Sequence, residues 1–122
     1  MPRIKVVIYR EEDGGSLLLE WLDTLPAKAQ DKCRVRIERL GELGHELRRP
    51  EADFLRAGVS ELRASLAGIN YRILYFFHGI KAVVLSHGLT KGQIVPPKEI
   101  DRAVERKKKY ESDPKRHTWE EK

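Results

Sequence analysis

At 122 residues, with 40% hydrophobic and 35% charged side chains, the chain has room for one ordinary domain with a real core and a densely ionic surface. The single cysteine, Cys33, rules out an internal disulfide, a zinc knuckle or a CxxC redox pair, and points to a reducing compartment. The N-terminal stretch lacks the apolar core of a signal peptide and no run approaches a membrane span, so the sequence reads as a cytoplasmic protein. The net charge of +5 is unevenly spread: residues 56–91 carry Arg56, Arg63, Arg72, Lys81 and Lys91 against one acid, Glu61. A basic sheet suits a polyanion, although lysine and arginine also guard sheet edges against aggregation.

In chain order, residues 4–9 (IKVVIY) form a β-branched run before the turn formers at 12–15 and read as a first strand. Ser16 can cap a helix on which Leu18, Leu19, Trp21, Leu22 and Leu25 crowd one side, and Pro26 ends it. Pro26 also opens a second helix. There Ala29, Cys33, Ile37 and Leu40 form the apolar stripe, Lys28, Lys32, Arg36 and Arg39 lie outside it, and Gly41 and Gly44 fray the end. Cys33 on that stripe reads as a small buried residue rather than a nucleophile. Residues 45–58, with Pro50, Gly58 and mixed charges, read as a loop.

Three strands follow at meander spacing, over 59–66, 69–77 and 81–89. The middle one is apolar on both faces, which places it at the centre of the sheet with helices on one side and the C-terminal segment on the other. Pro96-Pro97 starts a last helix with Ile100, Ala103, Val104 and Lys107 on one face and Glu105 able to pair with Lys109; it runs out near Tyr110. The expected organisation is therefore a single α+β domain over 1–111 and a loose tail over 112–122.

If Ala67-Gly68 closes a two-residue hairpin, Arg63 stands directly opposite Arg72. Like charges so placed repel, so either an anion binds there or an acid such as Glu61 compensates. An even loop at the next corner would bring Leu85, His87 and Lys91 to the same face, whereas a three-residue loop would send His87 and Lys91 to the other. Fixed cations around one concave surface can bind a phosphodiester and stabilise the added charge of its transition state. Arg56 and Lys81 complete the basic set as candidates to bind substrate, and His87 is either a general base for a ribose hydroxyl or a polar strand residue bonded to a neighbour. The scattered His45, His78, His87 and His117 and the absence of DxD or HExxH patterns argue for a site without metal or cofactor. GxGxxG, P-loop and GxSxG motifs are lacking, which removes NAD enzymes, nucleotide hydrolases and serine hydrolases.

The order strand, two helices, loop, three-stranded meander and C-terminal helix, with the words SELRAS (60–65), NYRILYFF (70–77) and VLSHGLTKGQIVPPKEIDRA (84–103), resembles the RelE/ParE toxin superfamily and in particular its phage-derived, HigB-like branch. The resemblance spans about residues 4–110. It implies a ribosome-dependent endoribonuclease that turns the 2′-hydroxyl against the adjacent phosphate of mRNA, with Arg63, Arg72 and Lys91 in catalytic positions and His87 or, less directly, Tyr110 as the base. It also implies an antitoxin partner, a small helix-turn-helix protein. Gly92 stands where relatives often carry a second lysine, which removes one cation. Two other readings are open: a ParE-like gyrase poison, which needs no phosphodiester chemistry, and a nucleic-acid-binding remnant of a mobile element that does not cleave.

Overall fold

The computed structural model describes residues 3–90 and 94–120. Among them, strand β1 (Lys5–Ile8), helices α1 (Leu17–Asp23) and α2 (Ala27–Leu43), strands β2 (Ala52–Arg56), β3 (Val59–Leu66), β4 (Ile69–His78) and β5 (Ala82–Thr90), and helix α3 (Pro97–Ser112) follow in order. The strands form a sheet of order β1-β5-β4-β3-β2, antiparallel except where β1 runs parallel to β5. This is the α+β arrangement that the sequence pattern implies, with the apolar β4 at the centre.

Ser16 caps α1 by accepting from the Leu19 amide, and Pro26 precedes α2 as expected. Helices α1 and α2 cover one face of the sheet, where Leu18, Cys33 and Leu40 meet Leu62, Ile73, Tyr75, Val83 and Leu85. Helix α2 runs on through Gly41 to Leu43. At Gly41 the missing side chain admits Val6, and a Cβ there would lie 3.2 Å from Val6 Cγ2. On the opposite face, α3 packs Ile100 and Ala103 against Val59, Leu74 and Leu89. With both faces of β4 buried, apolar burial is the main driving force for this layered arrangement.

Three expectations are corrected by the structure. The segment read as a loop holds a single 3-10 turn, Gly44–Glu46, and the edge strand β2, which pairs with β3 from Ala52↔Leu62 to Arg56↔Val59 with an irregularity between Phe54 and Arg56. An edge strand has one neighbour, so its exposed Phe54 and Arg56 blur the alternation that would have marked it. Lys109 reaches Glu12 at 3.6 Å rather than Glu105. Residues 113–119, read as a loose tail, lie along β1: Arg10 N–H donates to the His117 carbonyl at 2.8 Å, Trp119 N–H donates to that of Ile8 at 2.8 Å, and the buried His117 ring stacks on Tyr9 at 5.0 Å.

Candidate functional site

The β3–β4 register places Arg63 opposite Arg72, as the two-residue hairpin requires. Glu61 lies two residues before Arg63 on the same face of β3, and its Oε1 accepts from Arg63 Nε at 2.8 Å and also from Arg72 Nη1. The like-charge pair is therefore held by an acid. Arg72 and Glu61 are buried at 5% and 3% side-chain exposure, whereas Arg63 keeps 35% and can still meet a ligand.

Around this core the ion pairs continue. Asp53 Oδ2 takes Arg63 at 3.3 Å and Arg49 at 2.9 Å, and the Arg49 hydrogen bond holds the Asp53 carboxyl below its usual range. Glu51 accepts from Arg39 and Arg36, and the Arg39 hydrogen bond likewise lowers its pKa. Arg36 also donates through Nε to the Arg63 carbonyl at 2.8 Å, which ties α2 to β3. Lys32, Arg36, Arg39, Arg49, Arg63 and Arg72 thus face three carboxylates, an excess of three positive charges. Lys32, Arg36, Arg63 and Arg72, with Pro50, Ser65 and Asn70, line a cleft of about 560 Å³. A focused positive field with planar guanidinium donors at its wall can bind a phosphodiester and stabilise charge that develops on it.

His87 shares a sheet face with Arg72 by a route the sequence did not reveal. The β4–β5 corner closes on His78↔Ala82 and leaves three residues in the loop, which puts Leu85 opposite Tyr75 on the α1/α2 side; the expectation for Leu85 is thereby corrected. A bulge between Leu74 and Tyr75 inserts Ser86 on β5 and shifts the register, so His87 pairs with Leu74 and Leu89 with Arg72. His87 is nevertheless separate from the arginine cleft. It borders a smaller one of about 280 Å³ with Leu17, Glu99 and Arg102.

Its ring is fully engaged. Nε2 lies 3.0 Å from Glu99 Oε1, and Nδ1 lies 2.8 Å from Ser86 Oγ and 3.4 Å from Arg106 Nη1. A neutral ring protonated on Nε2 satisfies all three contacts, donating to Glu99 and accepting from Ser86 and Arg106. Burial, then the Arg106 charge, pushes its pKa down to about 4 against the pull of Glu99. Arg106 in turn reaches Glu11 at 3.2 Å and lies over the Tyr9 ring at 5.8 Å. This polar network, with Ser86 and Arg106 buried and Glu99 and Glu11 partly exposed, was missed in the sequence. The steps from Ala103 to Arg106 and Tyr110 could have marked Arg106, because all three lie on the buried face of α3.

The remaining candidates are dispersed. Tyr110 is buried against Phe76 and His78, with ring centroids at 6.0 and 5.1 Å, four residues along β4 from Arg72. Arg56 pairs with Asp101 and donates to the Pro97 carbonyl, and so fastens β2 to α3. Lys81 sits in the β4–β5 corner, at the other end of the sheet from the β3–β4 hairpin beside Arg63 and Arg72. Lys91 lies outside the described residues, as does Gly92. Among the described residues no group of three or more His, Cys, Asp or Glu side chains is arranged to hold a metal ion, and no helix is long and apolar enough to cross a membrane.

A family model described as "Phage derived protein Gp49-like (DUF891)" matches residues 20–108, a span that includes α2, the whole meander, the arginine cleft and most of α3. No curated protein matches the chain.

Proposed function

Because the chain belongs to the phage-derived Gp49-like family, a family of RelE/HigB-type toxins of toxin–antitoxin systems, we propose that it is a HigB-like toxin that cleaves mRNA on the ribosome. The observation that carries this reading is the Arg63–Arg72 pair, fixed by Glu61 at the wall of a cleft with surplus positive charge.

In the proposed reaction a ribose 2′-oxygen attacks the adjacent phosphorus, the bond from phosphorus to the 5′-oxygen breaks, and the products carry a 2′,3′-cyclic phosphate and a 5′-hydroxyl. The attacking hydroxyl loses its proton to a base and the departing oxygen gains one from an acid. Arg63, with open surface on its guanidinium, contacts the phosphate; Arg72 supports the field and keeps Glu61 from neutralising Arg63 alone. Lys91, on the segment after β5, is the remaining catalytic cation of this reading. His87 is assigned to holding α3 against β5, since both ring nitrogens are engaged. Tyr110 is assigned to the core. The toxin family implies an antitoxin partner, for which a small helix-turn-helix protein is the expectation; ribosome and mRNA complete the proposed partners, with the cytoplasm as the compartment.

Inducing the chain in bacteria beside an Arg63→Ala/Arg72→Ala version, and mapping new mRNA 5′ ends with and without translation of a reporter, tests the reading. Translation-dependent cuts that vanish in the double variant and also in Arg63→Ala alone, which keeps the buried Glu61–Arg72 pair, support it. One observation favours a second reading: Glu61 takes up a full charge between the arginines, which suits a cleft that binds RNA without cutting it. Growth arrest without new ends would bring the gyrase-poison reading forward, and neither arrest nor cuts would favour the non-cleaving binder.

A further inference from the structure

A second concavity, of about 790 Å³, opens on the α2 side of the sheet beyond the end of that helix. Its floor is aromatic: Tyr75 and Phe77 from β4, with the His45 ring stacked on Phe77 at 3.6 Å and 22°. Phe54 projects from β2 at its rim with 64% of its surface exposed. Arg48, Arg49 and Lys107 supply positive charge, and Asp53 is the carboxylate among the lining residues.

That carboxylate links the linings of the two clefts through its ion pairs. Asp53 Oδ2 is held by Arg49, which lines the aromatic concavity, and by Arg63, which lines the phosphate cleft; Pro50 of the same short connection lines the latter. The wall between the two sites is the backbone connection over residues 48–52, spanned by the Asp53 ion pairs. Flat rings flanked by arginine and lysine are the means by which single-stranded nucleic acid is bound, with stacking on the bases and cations along the backbone.

We propose that this concavity is a nucleobase subsite: it takes the base of a nucleotide flanking the phosphate held at Arg63 and Arg72, stacked on Phe54 and the His45–Phe77 pair, with Arg48 and Lys107 at its edge. The inference rests on the RNA reading of the arginine cleft and adds where sequence preference would reside. Adjacency of the two clefts across the 48–52 connection favours RNA over an acidic, apolar segment of a protein partner, which the same lining could also accept.

The test is the binding of a fluorescent 2′-O-methyl hexaribonucleotide, which lacks the attacking hydroxyl, to the full-length chain at fixed salt, in parallel with an abasic oligonucleotide of equal length. Phe54 is exposed, so Phe54→Ala leaves the fold intact. It should weaken binding of the base-containing probe roughly ten- to a hundredfold while leaving the abasic probe unchanged. Phe54→Trp should restore or exceed the original affinity. Arg63→Ala should weaken both probes alike. Equal affinity of Phe54→Ala and the unaltered chain for the base-containing probe overturns the subsite, and so does equal weakening of both probes. Loss of antitoxin binding in Phe54→Ala with RNA binding intact overturns it in favour of a protein-docking face. If Arg63→Ala has no effect on either probe, the RNA reading of the arginine cleft fails on its own account, a result separable from any effect at Phe54.

Discussion

Replacing Glu61 with alanine should be among the most damaging single changes in the protein. Its carboxylate is 3% exposed and joins two guanidiniums, one of them, on Arg72, exposed by only 5%. Arg63 can recover water and keeps Asp53, whereas the Arg72 guanidinium loses this carboxylate where little solvent reaches it. Breaking a buried pair in this way typically destabilises by about 3–5 kcal/mol. For 122 residues, an unfolding entropy of roughly 2.1 cal/mol/K per residue converts that loss into a Tm lower by about 12–20 °C. Replacing both partners, as Glu61→Leu with Arg72→Met, should recover most of the stability, because an apolar pair of similar volume carries no desolvation penalty. Thermal and urea unfolding of the three proteins would measure this. A loss below about 1 kcal/mol in Glu61→Ala, or a double variant no more stable than the single, would refute the reasoning.

Other outcomes follow from the same contacts. His87 is held neutral with its pKa pushed down to about 4, so as pH falls below the ordinary histidine value of 6.5 the unfolded chain takes up a proton that the fold refuses. The stability tied to His87 should be complete above about pH 6.5, decline toward pH 4 and level below it, and His87→Gln should flatten that decline. Glu51 and Asp53, whose pKa values are lowered, add their losses as pH falls through the ordinary carboxylate range; between about 4.5 and 6.5 the share of the decline that belongs to His87 is the share His87→Gln removes, and an unchanged decline in His87→Gln contradicts the assignment. Gly88→Ala would set a Cβ 2.1 Å from Trp21 Cε3, so the indole must move and its bond to Thr90 should break; a red shift of Trp21 fluorescence in a Trp119→Phe background, with about 1–3 kcal/mol of lost stability, would report it. His117→Ala removes the stack on Tyr9 and the Nδ1–H bond to the Arg10 carbonyl, and should lower stability by about 2 kcal/mol in urea unfolding while increasing proteolysis after residue 112.

The sequence was legible where local chemistry decides. The Ala67-Gly68 turn set the β3–β4 register, and with it the opposition of Arg63 and Arg72 and the need for a compensating acid. The two apolar faces of β4 placed it at the centre. Features fixed by partners distant in the chain were not legible. No local signal marks Ser86 as a bulge, yet that residue offsets the three-residue corner and returns His87 to the face of Arg72. β2 pairs on one side alone, so its pattern is weak, and the C-terminal residues gain their order from Tyr9, more than a hundred positions away. The same limit governed the site. The arginine pair could be counted from the hairpin, but the engagement of His87 with Glu99 and Arg106 depends on where α3 lands.

The most direct test of the central claim is the single-turnover cleavage rate of mRNA on programmed ribosomes, measured for the unaltered chain and for Arg63→Ala, with binding to the same ribosomes measured separately. Arg63 is partly exposed, so its loss leaves the fold in place. The account predicts a rate at least about a hundredfold lower with binding weakened far less, as for a group that stabilises the transition state more than the bound substrate. An unchanged rate, or one reduced only in proportion to binding, would contradict a catalytic role for the arginine cleft.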